Sequence, residues 1–177
     1  MRFTGILMLL SMFAAAAEAQ PASTRDEFDR SVVVRTDKTG MPIAADLDGD
    51  GKPDRIYAVR VQRRGVADVA DATLRIANPF GRRPLATGGE SLTLAIAHAS
   101  GARWLIHDRE FFATPIWGEA TLPLGVARRG SAAHRSLVQQ GAKPRGDMLL
   151  LGTEAGIDVA LYWTGNGYAV FAPKEEP

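Results

Sequence analysis

The chain has no cysteine, only three histidines, and an aromatic content of 7%. Without cysteine there is no disulfide framework, so the small cross-linked exported scaffolds are excluded. Beyond residue 17 no apolar run approaches the roughly 18–20 residues of a membrane-spanning helix. Charge of one sign is lacking as well: 21 Lys and Arg stand against 20 Asp and Glu, a net charge of +1. That near-balance gives no global field to attract nucleic acid or an anionic membrane. Gly-x-Ser-x-Gly, His-Glu-x-x-His and a phosphate-cradling glycine loop before a helix are all missing, which leaves catalysis without a motif to support it. What is present, 46% hydrophobic and 23% charged residues in 177, is the composition of a folded globular domain.

The N-terminus has the pattern of an export signal. Met1-Arg2-Phe3-Thr4 carries one positive charge, Gly5 to Ala17 is apolar apart from Ser11, and Ala17-Glu18-Ala19 supplies small residues where a signal peptidase reads. This predicts a signal peptide over residues 1–19, cleaved after Ala19, and a single β-rich domain over 20–177 with no transmembrane segment. No cysteine follows the apolar run, so lipid attachment there is excluded. The expected location is periplasmic or secreted; the absence of an Asn-x-Ser/Thr acceptor from the mature chain favours a periplasm. An exported chain without disulfides has to rely on its own core, and a domain of this size buries about 70% of the surface its unfolded chain exposes.

Period-two alternation dominates the mature sequence. Arg55–Gln62 places Tyr57, Val59 and Val61 on one face, Thr73–Ala77 alternates around Leu74 and Ile76, and Ser91–His98 around Leu92, Leu94 and Ile96. Met148–Leu151, Ile157–Trp163 and Tyr168–Ala172 read as three more strands, the last two joined by the turn Thr164-Gly165-Asn166-Gly167. The loop Ala99-Ser100-Gly101 suits a three-residue hairpin that sets His98 against Ala102, Ile96 against Trp104 and Leu94 against Ile106. One short helix is expected within residues 20–30, with Ser23 or Thr24 as its N-cap. Gly81-Arg82-Arg83-Pro84 and Gly125 to Gly146 lack periodicity and read as loops. The expected fold class is all-β, a single antiparallel sheet or sandwich-like domain of meanders.

The segment with specific chemistry is Asp46-Leu47-Asp48-Gly49-Asp50-Gly51-Lys52-Pro53-Asp54, with carboxylates at loop positions 1, 3, 5 and 9 and glycine at 6. Four carboxylates this close repel one another unless a cation sits among them. A turn needs one Asp-Gly pair, not four spaced aspartates. Calcium fits, because it takes six to eight oxygens in flexible geometry, and the Lys52 carbonyl is available at position 7. No cysteine or histidine is near in sequence, which argues against zinc and copper, and magnesium's stricter octahedron makes it the weaker hard ion. Position 12 is Tyr57 rather than the bidentate Glu of a helix–loop–helix site, and Pro53-Asp54 leads into a strand.

In that form the loop resembles the calcium loop of the FG-GAP and VCBS repeat families, which joins strands in β-propeller blades of surface and adhesion proteins. The match covers Ala45 to Val59. The resemblance implies Ca²⁺ on Asp46, Asp48, Asp50, the Lys52 carbonyl and Asp54. Those families repeat the loop several times and this chain has it once, so a propeller and its adhesive function do not carry over; a lone blade-like unit inside a larger sheet does. The C-terminal Leu-Tyr-Trp-Thr-Gly-Asn-Gly-Tyr is similar to the closing hairpin of small exported proteins with one such loop.

The functional expectation is an exported, non-catalytic, calcium-binding β-domain that binds or scaffolds something in the envelope. The alternative is a small periplasmic hydrolase using His107 with Asp108 or Glu110. If calcium occupies the four aspartates, the rest of the mature chain carries 20 basic and 15 acidic groups. With Arg63-Arg64, Arg82-Arg83 and Arg128-Arg129 at glycine-flanked loop tips, solvated loops are the leading account and a patch for an anionic glycan or lipid headgroup the second; the partner is left open, with an envelope protein or an anionic glycan as the candidates. The aromatics Trp104, Trp117, Trp163, Tyr162 and Tyr168 read as core, and Phe111-Phe112 with Thr114-Pro115-Ile116-Trp117 as a partner-facing edge.

Overall fold

The computed structural model describes residues 28, 32–61, 74–81, 92–156 and 158–173. The expected signal peptide, the N-cap of the first helix and the Arg63-Arg64 and Arg82-Arg83 pairs lie outside them; Phe28, in a helical conformation, is buried.

Among the described residues, ten strands and one regular α-helix follow in chain order: β1 (Val32–Val34), β2 (Ile43–Ala45), β3 (Asp54–Val61), β4 (Leu74–Ala77), β5 (Thr93–Ala97), β6 (Arg103–Ile106), β7 (Leu124–Ala127), α1 (Ala132–Gln140), β8 (Met148–Leu151), β9 (Val159–Trp163) and β10 (Tyr168–Phe171). The fold is all-β with one short helix. It is built from two sheets, six strands in the order β1-β3-β5-β6-β4 with β2 also on β3, and four in the order β10-β9-β8-β7.

Alternation decides what each face buries. Ile56, Ala58, Leu94, Ile96, Trp104 and Ile106 of the large sheet meet Leu149, Leu151, Leu161 and Tyr168 of the small one in the main core. The opposite face of the large sheet carries Tyr57, Val59, Ala95 and Leu105, covered by Phe28. The opposite face of the small sheet packs Met148, Ala160 and Tyr162 against Leu137 of α1.

The β5–β6 hairpin has the register expected from its loop: Leu94 pairs with Ile106, Ile96 with Trp104, and the His98 N–H donates to the Ala102 carbonyl at 2.9 Å. Gly101 supplies the left-handed position, φ 92°. The β9–β10 hairpin likewise pairs Trp163 with Tyr168.

Three expectations need correction. The sheets are not pure meanders, because β4 runs parallel to β6, beside it rather than beside β5. The stretch from Gly125 to Gly146 is not loop: it holds most of β7 and all of α1, a helix opened by Ser131, whose hydroxyl accepts the His134 N–H, and closed by Gly141 at φ 121°. The Phe111–Trp117 stretch forms two short 3-10 turns that face inward, with Phe112 and Trp117 only 3% and 2% exposed and stacked edge-on to each other, so it is core and not an apolar edge. The buried Lys38 amine secures that segment by donating to the Gly118 and Glu119 carbonyls at 2.7 and 2.6 Å. No helix among the described residues is long and apolar enough to cross a membrane.

Candidate metal centre

The aspartate loop is the connection of the β2–β3 hairpin, in which Ala45 pairs with Asp54. Its backbone folds around its own carboxylates. Asp46 accepts the Gly49 N–H on Oδ1 at 2.9 Å and the Gly51 N–H on Oδ2 at 3.1 Å. Asp48 Oδ1 accepts from Asp50 N–H at 3.2 Å, and Asp50 Oδ1 from Lys52 N–H at 2.8 Å. Leu47 is fully buried in the main core and pins the loop to the sheet. Asp46, Asp48 and Asp50 thereby bring one oxygen each within 4.8 Å of one another. Lys52 is exposed at the last turn. Each ionised carboxylate has about four lone-pair sites, so one or two N–H bonds leave room for a cation. Burial, reinforced by the neighbouring Asp54 carboxylate, pushes the Asp48 carboxyl above its ordinary value.

Asp54 behaves differently from the other three. As the first residue of β3 it lies on the same face as Ile56 and Ala58, pointing between the sheets, and is 0% exposed. Its Oδ2 accepts the Leu47 N–H at 2.9 Å and its Oδ1 the Ala99 N–H at 3.0 Å, linking the loop to the β5–β6 turn. It groups with Asp48 and His98, whose donor atoms also lie within 4.8 Å of one another.

His98 is the residue that sequence reasoning left out, on the ground that no histidine lies near the loop. The β3–β5 register pairs Ile56 with Ile96 and Arg55 with Ala97, so one further step sets Asp54 opposite His98. That cross-strand step is the signal; it needs the pairing of two strands that are not neighbours in sequence. His98 Nδ1 lies 3.2 Å from both Asp48 Oδ2 and Asp54 Oδ2, and Nε2 lies 2.9 Å from the Tyr168 hydroxyl. Trp163, Trp104 and Tyr168 enclose the site, with the His98 ring 5.2 Å from that of Trp163. Burial, followed by the Asp54 and Asp48 carboxylates, raises the Tyr168 phenol well above its ordinary value.

A second segment clamps the loop from the small sheet. The Asp147 N–H donates to the Asp46 carbonyl at 2.6 Å, and Asp147 Oδ2 accepts the Asp46 N–H at 3.0 Å. Arg128 bonds the same oxygen at 2.9 Å and also donates to the Ala44 carbonyl, so this arginine braces the loop instead of standing free at a tip. Gly49 and Gly146 make the approach possible. A Cβ on Gly49 would lie 2.6 Å from the Arg145 carbonyl oxygen, and one on Gly146 would lie 2.0 Å from that of Asp46.

His107 and its neighbours lie elsewhere. His107 is 1% exposed on the opposite face of the large sheet, with Nδ1 3.0 Å from the Thr93 hydroxyl. Asp108 is buried and its Oδ1 accepts the Phe111 N–H at 2.7 Å. Desolvation pushes the His107 imidazole below its ordinary value, against the opposing pull of Asp108. The unfolded chain takes up this proton near pH ~6.5, and the folded protein only at lower pH. Below ~6.5 the unfolded state therefore binds more protons, so this contribution is full above that pH and declines as pH falls through the window. Melting temperatures from pH 8 to 5 should fall less steeply for His107→Gln than for the parent; parallel profiles would refute the assignment.

Comparison of the chain with protein-family models, with curated proteins and with solved structures returns no match.

Proposed function

We propose that the chain is an exported calcium-binding β-domain with a loop of the FG-GAP/VCBS type, serving as a non-catalytic binding or structural module of the cell envelope. Calcium is held by Asp46, Asp48, Asp50, the Lys52 carbonyl and Asp54. The observation that supports this most is the convergence of Asp46, Asp48 and Asp50 on one point, with donor oxygens within 4.8 Å. The ion neutralises carboxylates that otherwise repel and stiffens the β2–β3 connection, a role that disulfides fill in many exported domains. An envelope protein or an anionic glycan is the partner in this reading. The hydrolase alternative is less favoured, since the hydroxyl beside its imidazole is that of Thr93, which is 0% exposed and closed to a substrate.

The test is thermal unfolding with and without Ca²⁺. For a dissociation constant of about 0.1 mM, millimolar Ca²⁺ stabilises by about 1.4 kcal/mol, which is roughly 3–6 °C for a domain of this size. EDTA should remove the shift, and the Asp48→Ala, Asp50→Ala double variant should not show it. Identical melting curves in Ca²⁺ and EDTA would rule out the calcium reading.

A further inference from the structure

The His98 side chain is 2% exposed, and its Nδ1 has no hydrogen-bond partner although two carboxylate oxygens lie 3.2 Å away. Neither oxygen is aligned with the ring nitrogen as a hydrogen-bond acceptor would be. Such an atom, buried and facing two acids, calls for a shared cation. We propose that Asp48, Asp54 and His98 form a second cation position, for a first-row transition divalent ion, sharing Asp48 and Asp54 with the calcium loop and adding His98.

The donor chemistry favours this class. Imidazole nitrogen with carboxylate oxygen suits manganese or zinc, whereas calcium takes oxygens at 2.3–2.6 Å. Donors around an ion with bonds of about 2.1 Å sit roughly 3.0–3.4 Å apart, and both nitrogen–oxygen separations here are 3.2 Å. The other ring nitrogen is oriented as metal-bound histidines usually are: with its proton on Nε2 and donated to the Tyr168 hydroxyl, Nδ1 presents its lone pair to the acids. Asp48 keeps Oδ2 clear of the N–H bond made by Oδ1, and at 15% side-chain exposure it gives the position a route to solvent. Asp54 contributes a spare lone pair on Oδ2, which already accepts from Leu47. Calcium in the loop is not required for this position, which shares Asp48 and Asp54 with it and is separately measurable through His98.

The experiment strips the full chain with EDTA, removes the chelator, loads Mn²⁺ and measures nitrogen-14 modulation of the manganese electron spin echo. The wild type should show coupling to one imidazole nitrogen. His98→Gln should lose it and bind Mn²⁺ at least about tenfold more weakly, while keeping its Ca²⁺-dependent melting shift. Tyr168→Phe, which removes only the hydroxyl, should keep the nitrogen coupling and weaken Mn²⁺ binding by about tenfold. Wild-type protein that binds Mn²⁺ without nitrogen coupling, or binds none, overturns the proposal whether or not His98→Gln folds. Coupling without a calcium shift would leave this position standing and remove the calcium reading.

Discussion

Gly146→Ala should lower the melting temperature by about 6–12 °C in the absence of added metal, a loss of about 3 kcal/mol or more. The added Cβ would lie 2.0 Å from the Asp46 carbonyl oxygen and 2.8 Å from the Gly49 nitrogen, which are backbone atoms on the far side of a two-sheet contact. Neither can rotate away, so the whole 144–147 segment has to retreat from the loop. That retreat also lengthens the Asp147 N–H to Asp46 carbonyl bond, 2.6 Å in the native structure. Gly101→Ala is the control. Its site is left-handed but open, with nothing within 4 Å of the new Cβ, so it should cost only the ~1–2 kcal/mol of that backbone conformation. Equal losses in differential scanning calorimetry would show that the close contact is not what matters at residue 146.

Asp147→Ala should destabilise by about 3 kcal/mol and shrink the calcium shift. Its carboxylate, on a residue 5% exposed, accepts from Asp46 N–H, Arg129 N–H at 2.7 Å and Arg128. Removing it strands two backbone donors, takes one acceptor from the Arg128 guanidinium, and frees the first aspartate of the loop from the small sheet. Asp147→Asn retains one acceptor and should lose about half as much. Urea titrations of the three proteins check the order; an alanine variant as stable as the parent would show that Asp147 does not hold the loop.

How much of this was legible in the sequence depended on how local each cause is. The β5–β6 register was, because Gly101 fixes the turn and a fixed turn fixes every pair beyond it. β8 was legible to the residue, as a short apolar run between polar flanks. α1 was not, although Ser131 and Gly141 are sound cap signals: only Leu137 of its nine residues is buried, so there is no apolar stripe to read. β1 and β2 are three residues each, too short to display alternation, and β7 contains Gly125. The parallel placement of β4 on β6 is a choice among edges that no local pattern encodes.

The candidate site divides the same way. Asp46, Asp48 and Asp50 were legible because their convergence is built by their own loop. Asp54 was assigned with them but turns inward, following the alternation of β3. His98 and the Asp147 clamp enter from 44 and 93 residues beyond Asp54, through sheet register and sheet-on-sheet contact. No histidine is near the loop along the chain, but His98 lies 3.2 Å from Asp54 through space, so zinc and copper are no longer disfavoured on that ground.

Calorimetric titration of Ca²⁺ into the EDTA-stripped, chelator-free full chain decides whether the aspartate loop holds calcium. A calcium loop on Asp46, Asp48, Asp50, Lys52 and Asp54 predicts saturable binding with a dissociation constant of about 0.1 mM, abolished in the Asp48→Ala, Asp50→Ala variant. No saturable heat in the parent, or the same heat in the variant, would contradict it.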